Sequence, residues 1–491
     1  MPMQTMNAMN GKIRPCGKVH SFSSRVISGK GVLAQLPELL AGRKKVYVLS
    51  DANTYKAAGE RVCRILTEAG IATLCHSFRD PAPEPDEKTV GSAVMHMASD
   101  CDAIVAVGSG VVNDTGKILS ALSSKPYIIV ATAPSMDGYA SATSSMTRDG
   151  LKCSLPSRCP DVILGDTDIL CQAPLKLLKS GLGDMLAKYV SICEWRIAHL
   201  LLGEYFCPEI ADLIRRAVKR CVDNAPGLLR REEEAVAAVF EGLVIGGVAM
   251  NYAGLSRPAS GVEHYISHVI DMRAVEFGTP MELHGIQCAV GTVKAIGLYE
   301  KLLAMKPDRE KALAFVRSFD KEDWNRQLRA YLGTAAESMI ALEEKEGKYD
   351  PAAHALRLEK IIAHWEDIKA IAREELPAAK ALEMGTLGGA EALGMQDMIG
   401  SVEVGKKADF VLFDAARLNT APTHDPVCAI VYNGNPGNID TVVVNGKVQI
   451  KDGEFSRLDE KAIVAKVQEL GRKLAEEAGL SAQQWGQSIE F

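Results

Sequence analysis

The sequence is poor in aromatic residues, 5% of 491, and has no surplus of positive charge: 56 Lys and Arg stand against 62 Asp and Glu, a net charge of −6. Without a basic surplus there is no electrostatic footprint for wrapping nucleic acid or an anionic membrane, although a small phosphorylated substrate needs only a local patch. No run approaches the roughly 20 unbroken apolar residues of a membrane-spanning helix, so no membrane insertion is expected. The opening MPMQTMNAMNGKIRP lacks the apolar core of an export signal, which points to the cytoplasm. The 12 cysteines never form C-x-x-C; thiols scattered along so long a chain are expected to be reduced, most of them as small buried hydrophobes. Disorder is excluded too, because 47% hydrophobic and 24% charged residues is the balance of a globular protein, with length for about three domains.

From Lys44 to Asp168, short β-rich runs alternate with helical ones, the pattern of parallel βαβ units. Five strands are expected: KVYVLS ending at Ser50, IATLCHSF from Ile71, DAIVAVG ending at Gly108, PYIIVAT ending at Thr132 and DVILGD ending at Asp166. Open sheets of this kind bind ligands beyond the carboxyl ends of their strands. From Pro174 to about Pro377 the period becomes helical, with almost no strand-like run. After Pro377 come a short helix, a turn at Ile399-Gly400-Ser401 and β-rich runs ADFVLFD, AIVYN, IDTVVVNG and KVQI. Asn445-Gly446 and Asp452-Gly453 mark hairpin turns, and an amphipathic helix spans Leu458 to Gly479. The expected organisation is an α/β nucleotide-binding domain (residues 1–170), an all-helical domain (171–377) and a β-rich segment with a terminal helix (378–491).

Several groups of residues could carry chemistry. Gly108-Ser109-Gly110-Val111-Val112-Asn113-Asp114 follows an expected strand and opens an expected helix, where glycines and unpaired N–H groups admit a pyrophosphate; the usual third glycine is Asn113, and a tight turn alone would explain the pair. Asp51 ends the first strand and could meet a ribose or simply cap the next helix. Thr132-Ala-Pro-Ser135-Met-Asp137-Gly-Tyr-Ala-Ser141 is a polar loop after another strand. The strongest group is helical. His264 and His268 are spaced i, i+4 on one face, His284 follows 16 residues after His268, and Asp184 interrupts an apolar helix. One Asp and two His would hold a divalent ion with positions open for substrate; the alternative is ordinary polar residues on solvated faces.

In order, GSGVVND, TAPSMDGYAS, GLGDMLAK, SRPASGVEH with its following ISH, and ELHGIQCAVGT resemble the sn-glycerol-1-phosphate dehydrogenases, within the dehydroquinate synthase, glycerol dehydrogenase and iron-dependent alcohol dehydrogenase superfamily. The resemblance covers about residues 15–377. It implies a Rossmann-like α/β domain joined to a helical one, in a homo-oligomer that reduces dihydroxyacetone phosphate to sn-glycerol 1-phosphate with NADH or NADPH. Glycerol or another polyol is the alternative substrate within the superfamily. By resemblance Asp184, His264 and His284 hold the metal, usually Zn2+, with Ni2+ or Fe2+ in related enzymes. Asp137, Asp184 and His268 touch substrate, with His268 or a nearby water delivering the proton. Gly108, Ser109, Gly110, Val111, Val112, Asp114, Thr132, Ser135 and Ser141 line the cofactor, with Asp51 near the adenosine ribose. Lys188 and Arg257 are candidates for the phosphate.

The tail resembles something else. Gly385-Thr-Leu-Gly-Gly-Ala-Glu-Ala-Leu-Gly394, Ile399-Gly-Ser-Val-Glu-Val-Gly-Lys-Lys-Ala-Asp409 and DPVCAIVYNG look like the end of an amidohydrolase of the methylthioadenosine and S-adenosylhomocysteine deaminase type. The tail's single histidine, His424, cannot assemble that family's hydrolytic site. Helices that normally complete the dehydrogenase are replaced by this segment, which leaves a non-catalytic binding protein as a further alternative.

Overall fold

The structure, a computed structural model, describes residues 22–80, 83–148, 151–376, 382, 384–390, 394–421, 426–430 and 434–477. The chain divides into two compact units, Met1–Pro377 and Ala378–Phe491.

The first unit is built on a six-stranded sheet. Its strands are β1 (Arg25–Gly29), β2 (Lys45–Asp51), β3 (Ala72–Phe78), β4 (Ala103–Gly108), β5 (Tyr127–Ala131) and, after a hairpin of β6 (Thr143–Arg148) and β7 (Leu151–Pro156), β8 (Val162–Asp166). The order across the sheet is β3-β2-β4-β5-β8-β1, and every neighbouring pair is parallel. All five strands read from the sequence are present. β4 and β5 are buried at every residue, as a central parallel strand covered on both faces must be. Alternation divides their side chains: Val46, Val48, Val105, Val107 and Val130 face a core with Val62 and Leu66 of helix Glu60–Glu68, while Tyr47, Leu49, Ile104, Ala106 and Ile129 face the other side. That second core runs without a break into the helical half, through Trp195, Ile210, Phe240 and Leu243.

The sequence pattern missed β1, β6 and β7. β1 is RVISG, too short and polar to stand out, and is recruited by parallel pairing with β8 from Arg25↔Val162 to Gly29↔Asp166. At the end of β8, Asp166 accepts from the backbone N–H of Gly31 and Leu33, both at 3.0 Å, which fastens the turn after β1.

Helices fill the remainder, from Leu175–Leu186 to Trp365–Glu375, with no strand among the described residues of that stretch. One of them, Glu233–Ala253, is long and apolar enough to cross a membrane, but 78% of its apolar window is buried within the protein. Three others set up the site: Leu175–Leu186, Val262–Phe277 and His284–Ala304. Glycines let their backbones touch. A Cβ on Gly285 would fall 1.9 Å from the Ser180 carbonyl oxygen, and one on Gly291 would fall 2.5 Å from that of Glu263.

The second unit holds an antiparallel sheet in the order β12-β11-β10-β9, from β9 (Phe410–Phe413), β10 (Ile439–Val444), β11 (Lys447–Lys451) and β12 (Glu454–Phe455), followed by helix Glu460–Glu477. Asn445 and Asp452 have φ of 50° and 53°, the left-handed conformation that their Asn-Gly and Asp-Gly turns require. The expected strand AIVYN is a correction: Pro426–Cys428 is helical and the coil continues through Ala429 and Ile430, since proline at a first helical position favours a helix start. His424 lies outside the described residues, as do residues 391–393 of the glycine-rich motif and 431–433 of the AIVYN run.

Two substitutions test these contacts. Gly285→Ala is expected to lower stability by about 1–3 kcal/mol through overpacking, read as a reduced denaturant midpoint; an unchanged midpoint would mean the helices separate freely. Asp166→Ala strands three backbone donors, the N–H groups of Gly31, Leu33 and Asp168, and is expected to destabilise by about 2–3 kcal/mol; a neutral result would show the β1 turn to be held otherwise.

Candidate functional site

The three close-packed helices bring four donors together. Asp184 lies near the end of its helix, His264 in the first turn of the next, and His284 at the first position of the third, with Cys288 one turn on. One ligand atom from each of Asp184, His264, His284 and Cys288 lies within 4.8 Å of all the others. The His264 Nε2 is 3.9 Å from Asp184 Oδ1, and Cys288 Sγ is 3.5 Å from His284 Nε2. Cys288 was not a sequence candidate. Its signal was the i, i+4 spacing from His284, which places it on the same helix face. His268, the other i, i+4 histidine, is half-buried and outside this cluster.

Hydrogen bonds aim both rings. His264 Nδ1 meets Glu263 Oε1 at 2.8 Å; a carboxylate only accepts, so Nδ1 carries the proton and Nε2 presents a lone pair. For His284 the relay is longer. Gln287 Nε2 donates to Asp271 (2.8 Å), Gln287 Oε1 accepts from Ser267 (2.7 Å), and the Ser267 oxygen faces His284 Nδ1 at 3.2 Å. With its own proton committed to Gln287, Ser267 accepts from Nδ1, and His284 Nε2 is again the lone-pair side. Carboxylate or amide support behind a ligating imidazole is what a metal site uses to fix ring and tautomer. The first turn of the His264 helix is fixed as well: Glu194 accepts from Val262 N–H (2.9 Å) and Glu263 from Gly261 N–H (2.8 Å). Burial, with Glu263 beside it, pushes the Glu194 carboxyl up to about 7.

Asp184 is fully buried and also answers to Lys188. Its Oδ1 is 2.6 Å from Lys188 Nζ, its Oδ2 accepts from the Asp137 N–H at 2.9 Å, and Lys188 Nζ reaches Asp137 Oδ2 at 2.6 Å. Burial alone would raise the Asp184 carboxyl, but Lys188 and the two histidines hold it at about 2. Burial likewise opposes charge on the imidazoles, yet the Cys288 sulfur, Glu263 beside His264 and Asp184 beside His284 raise both above the usual histidine range. Burial lifts the Cys288 thiol, and the imidazoles more than reverse this. Protons are thus drawn to a spot where carboxylate, thiol and imidazole donors converge, and a divalent cation satisfies the same demand. The donor set fits such an ion.

Both phosphate candidates are paired with carboxylates. Lys188 is not on a surface: its side chain has 0% exposure and its ammonium is shared by Asp137 and Asp184. Arg257 is held in a fork by Glu204 at 2.8 and 2.9 Å.

The other candidates gather at the carboxyl ends of adjacent strands β2, β4 and β5. A Cβ on Gly108 would fall 2.6 Å from Val112 Cβ, so the turn there needs glycine, whereas at Gly110 it would meet only Met136, at 3.9 Å. That open backbone at a helix start fits a pyrophosphate. Ser109 and Ser135 hydrogen-bond each other across the turn, and Thr132 N–H donates to Gly108 O at 3.1 Å. Val112 is buried and Val111 half-buried on the first turn. Asn113 stands in the third glycine position because its side chain is used: Nδ2 donates to Gly138 O (3.1 Å) and Oδ1 accepts from the Tyr127 hydroxyl (2.9 Å). Asp114 pairs with the buried Lys117 at 2.7 Å, and Ser141 pairs with Thr143 at 2.9 Å. Asp51 takes the capping role, accepting from Asn53 and Thr54 N–H at 2.7 and 2.9 Å, both through Oδ1. Asp137 links this region to the four-donor cluster.

A model of the iron-containing alcohol dehydrogenase family matches residues 27–174, and one of the amidohydrolase family matches residues 335–449. The chain is 33% identical over 292 residues to the glycerol-1-phosphate dehydrogenase (NAD(P)+) of Halalkalibacterium halodurans, covering 58% of this chain and 73% of that protein. With the enzyme of the same name from Geobacillus thermodenitrificans the identity is 32% over 355 residues, 70% of this chain and 86% of that one. Among solved structures, glycerol dehydrogenase from Schizosaccharomyces pombe is 17% identical with a TM-score of 0.46, over 72% of this chain and 93% of that chain. The chain belongs to the glycerol-1-phosphate dehydrogenase family of NAD(P)-linked oxidoreductases.

Proposed function

We propose that this protein reduces dihydroxyacetone phosphate to sn-glycerol 1-phosphate in the cytoplasm, using NADH or NADPH and a divalent metal ion held by Asp184, His264 and His284. The observation that carries the reading is the convergence of these side chains, with both imidazole lone pairs aimed inward, beside a glycine turn at the strand ends. When bound, the ion supplies Lewis acidity at the ketone oxygen and the nicotinamide supplies hydride. Two nitrogens, a carboxylate and a thiol suit zinc better than magnesium or calcium.

The chain's own residues do the rest. Gly108, Ser109, Gly110, Val111 and Val112 present backbone to the cofactor phosphates, Thr132, Ser135 and Ser141 line it, and Asp51 lies toward the adenosine ribose. Asp114 acts by anchoring that turn through Lys117. Lys188 positions Asp137 and Asp184 and holds both as anions. His268 delivers the proton to the nascent alkoxide. Cys288 would be a fourth donor to the ion while no substrate is bound.

A second reading, oxidation of glycerol or another unphosphorylated polyol, draws on the engagement of both Lys188 and Arg257 by carboxylates.

Asp184→Ala is expected to lower kcat/KM for dihydroxyacetone phosphate by on the order of a thousandfold, as is metal removal by chelation. Undiminished turnover in verified metal-free protein would end the Lewis-acid reading. In a substrate panel, dihydroxyacetone phosphate should exceed dihydroxyacetone by on the order of a hundredfold or more in kcat/KM; equal rates favour the polyol. Cobalt(II)-loaded protein should absorb in the near ultraviolet through sulfur-to-metal charge transfer, weakened by glycerol 1-phosphate and absent in Cys288→Ser that still binds cobalt. A spectrum unchanged by that substitution would remove Cys288 from the site.

A further inference from the structure

Cys63 and Cys75 take no part in the site described above. Cys63 is on helix Glu60–Glu68 and Cys75 is on β3, the edge strand, whose only sheet neighbour among the described residues is β2. Alternation along β3 sends His76 and Phe78 to one face, with Phe78 in the core that reaches the helical half. Cys75 therefore points to the opposite face, the one covered by Val62 and Leu66 of the helix that carries Cys63. There the two sulfurs lie 2.9 Å apart, about 0.9 Å beyond a disulfide bond of about 2.05 Å. Cys75 is exposed and Cys63 half-exposed, so a small oxidant reaches both. The other described thiols are half-buried or buried, among them Cys193, Cys207, Cys221 and Cys288.

We propose that Cys63 and Cys75 form a reversible dithiol–disulfide pair, oxidised by hydrogen peroxide, that clamps helix Glu60–Glu68 to the edge strand of the nucleotide-binding sheet. Cys75 is the attacking sulfur, because it is the more exposed of the two and its hydrogen bond with Cys63 lowers its thiol, against burial, toward the thiolate. Its thiolate attacks the peroxide: an S–O bond forms, the O–O bond breaks, and hydroxide leaves. The Cys63 sulfur then attacks the Cys75 sulfur, an S–S bond replaces the S–O bond, and the Cys63 proton departs with the displaced hydroxide as water. In sum, two thiols and one peroxide give a disulfide and two waters. The reaction closes a short loop between elements already in contact, so little backbone must move.

The test is peroxide treatment of the full-length protein, thiol blocking and tryptic mapping. The expected product joins the peptide of residues 62–64 to that of residues 65–79, two hydrogens lighter than the pair, and dithiothreitol separates them. In Cys63→Ser, Cys75 should stop at the sulfenic acid, trapped by dimedone; in Cys75→Ser, Cys63 should remain blockable. The proposal is overturned if both cysteines stay blockable in the wild-type protein, if Cys75 proceeds to sulfinic acid without the cross-link, or if either sulfur pairs elsewhere. Circular dichroism of each variant verifies that it is folded, and a misfolded serine variant is replaced by alanine.

Discussion

A lysine ammonium with no solvent exposure, shared between Asp137 and Asp184, is the interaction on which the site depends. A charge so placed is tolerated only when it is paired, and this one takes its partners from both halves of the catalytic unit. Asp137 comes from the loop after β5, at the strand ends where the Gly108–Gly110 turn lies, and Asp184 from the first long helix of the helical half. The same Asp184 also accepts the Asp137 backbone N–H, so loop and helix are joined by three bonds that share one geometry. Removing either carboxylate would leave the ammonium short of an anion. Lys188, one helical turn beyond Asp184, is thus engaged by two carboxylates. Its positive charge keeps Asp184 ionised in a place where burial favours the neutral acid.

Around that joint, backbone proximity does the positioning that longer side chains could not. Gly285 lets the His284 helix rest on the Ser180 carbonyl, and Gly291 lets it rest on that of Glu263, the residue before His264. Asp184, His264, His284 and Cys288 then converge from three helices without reaching. Behind them, Glu263 and the Ser267–Gln287–Asp271 relay determine which imidazole nitrogen faces inward. The relay begins on a carboxylate that can only accept, so its direction is settled from Asp271 outward. The loops thus contribute the glycine turn at the strand ends and the helices the four-donor cluster, with Asp137 of the loop after β5 bonded to Asp184 of the cluster.

Much of this was legible in the sequence, for reasons that also explain the gaps. β2, β3, β4, β5 and β8 were found because central parallel strands are apolar on both faces, which β1 and the β6–β7 hairpin are not: RVISG and TSSMTR acquire strand character only from their partners. The histidine pair at i, i+4 and the GLGD motif were visible as pattern. Cys288 was visible as spacing but hidden by chemistry, since a buried cysteine is ordinarily a small hydrophobe. The surroundings of Lys188 were not legible, since only the fold brings two carboxylates around it. Asp51 had two open readings, and its capping bonds account for its carboxylate oxygen Oδ1 without any ligand.

The amidohydrolase family model begins at residue 335, yet the compact catalytic unit extends to Pro377. The helices in that overlap are built into the dehydrogenase half. Ala336 and Ile340 pack with Val269 and Met272 of the helix that carries His264. Glu375, buried near the end of the last of them, takes Arg196 and Arg215 from two helices of the dehydrogenase half, with Arg215 Nε at 3.0 Å from its second oxygen. A buried carboxylate held by two guanidinium groups fixes one register, because any slip leaves charge unpaired in the interior. Sequence family and folding unit therefore part company over these residues: what they resemble is a hydrolase terminus, and what they do is brace the helix on which a proposed metal ligand stands.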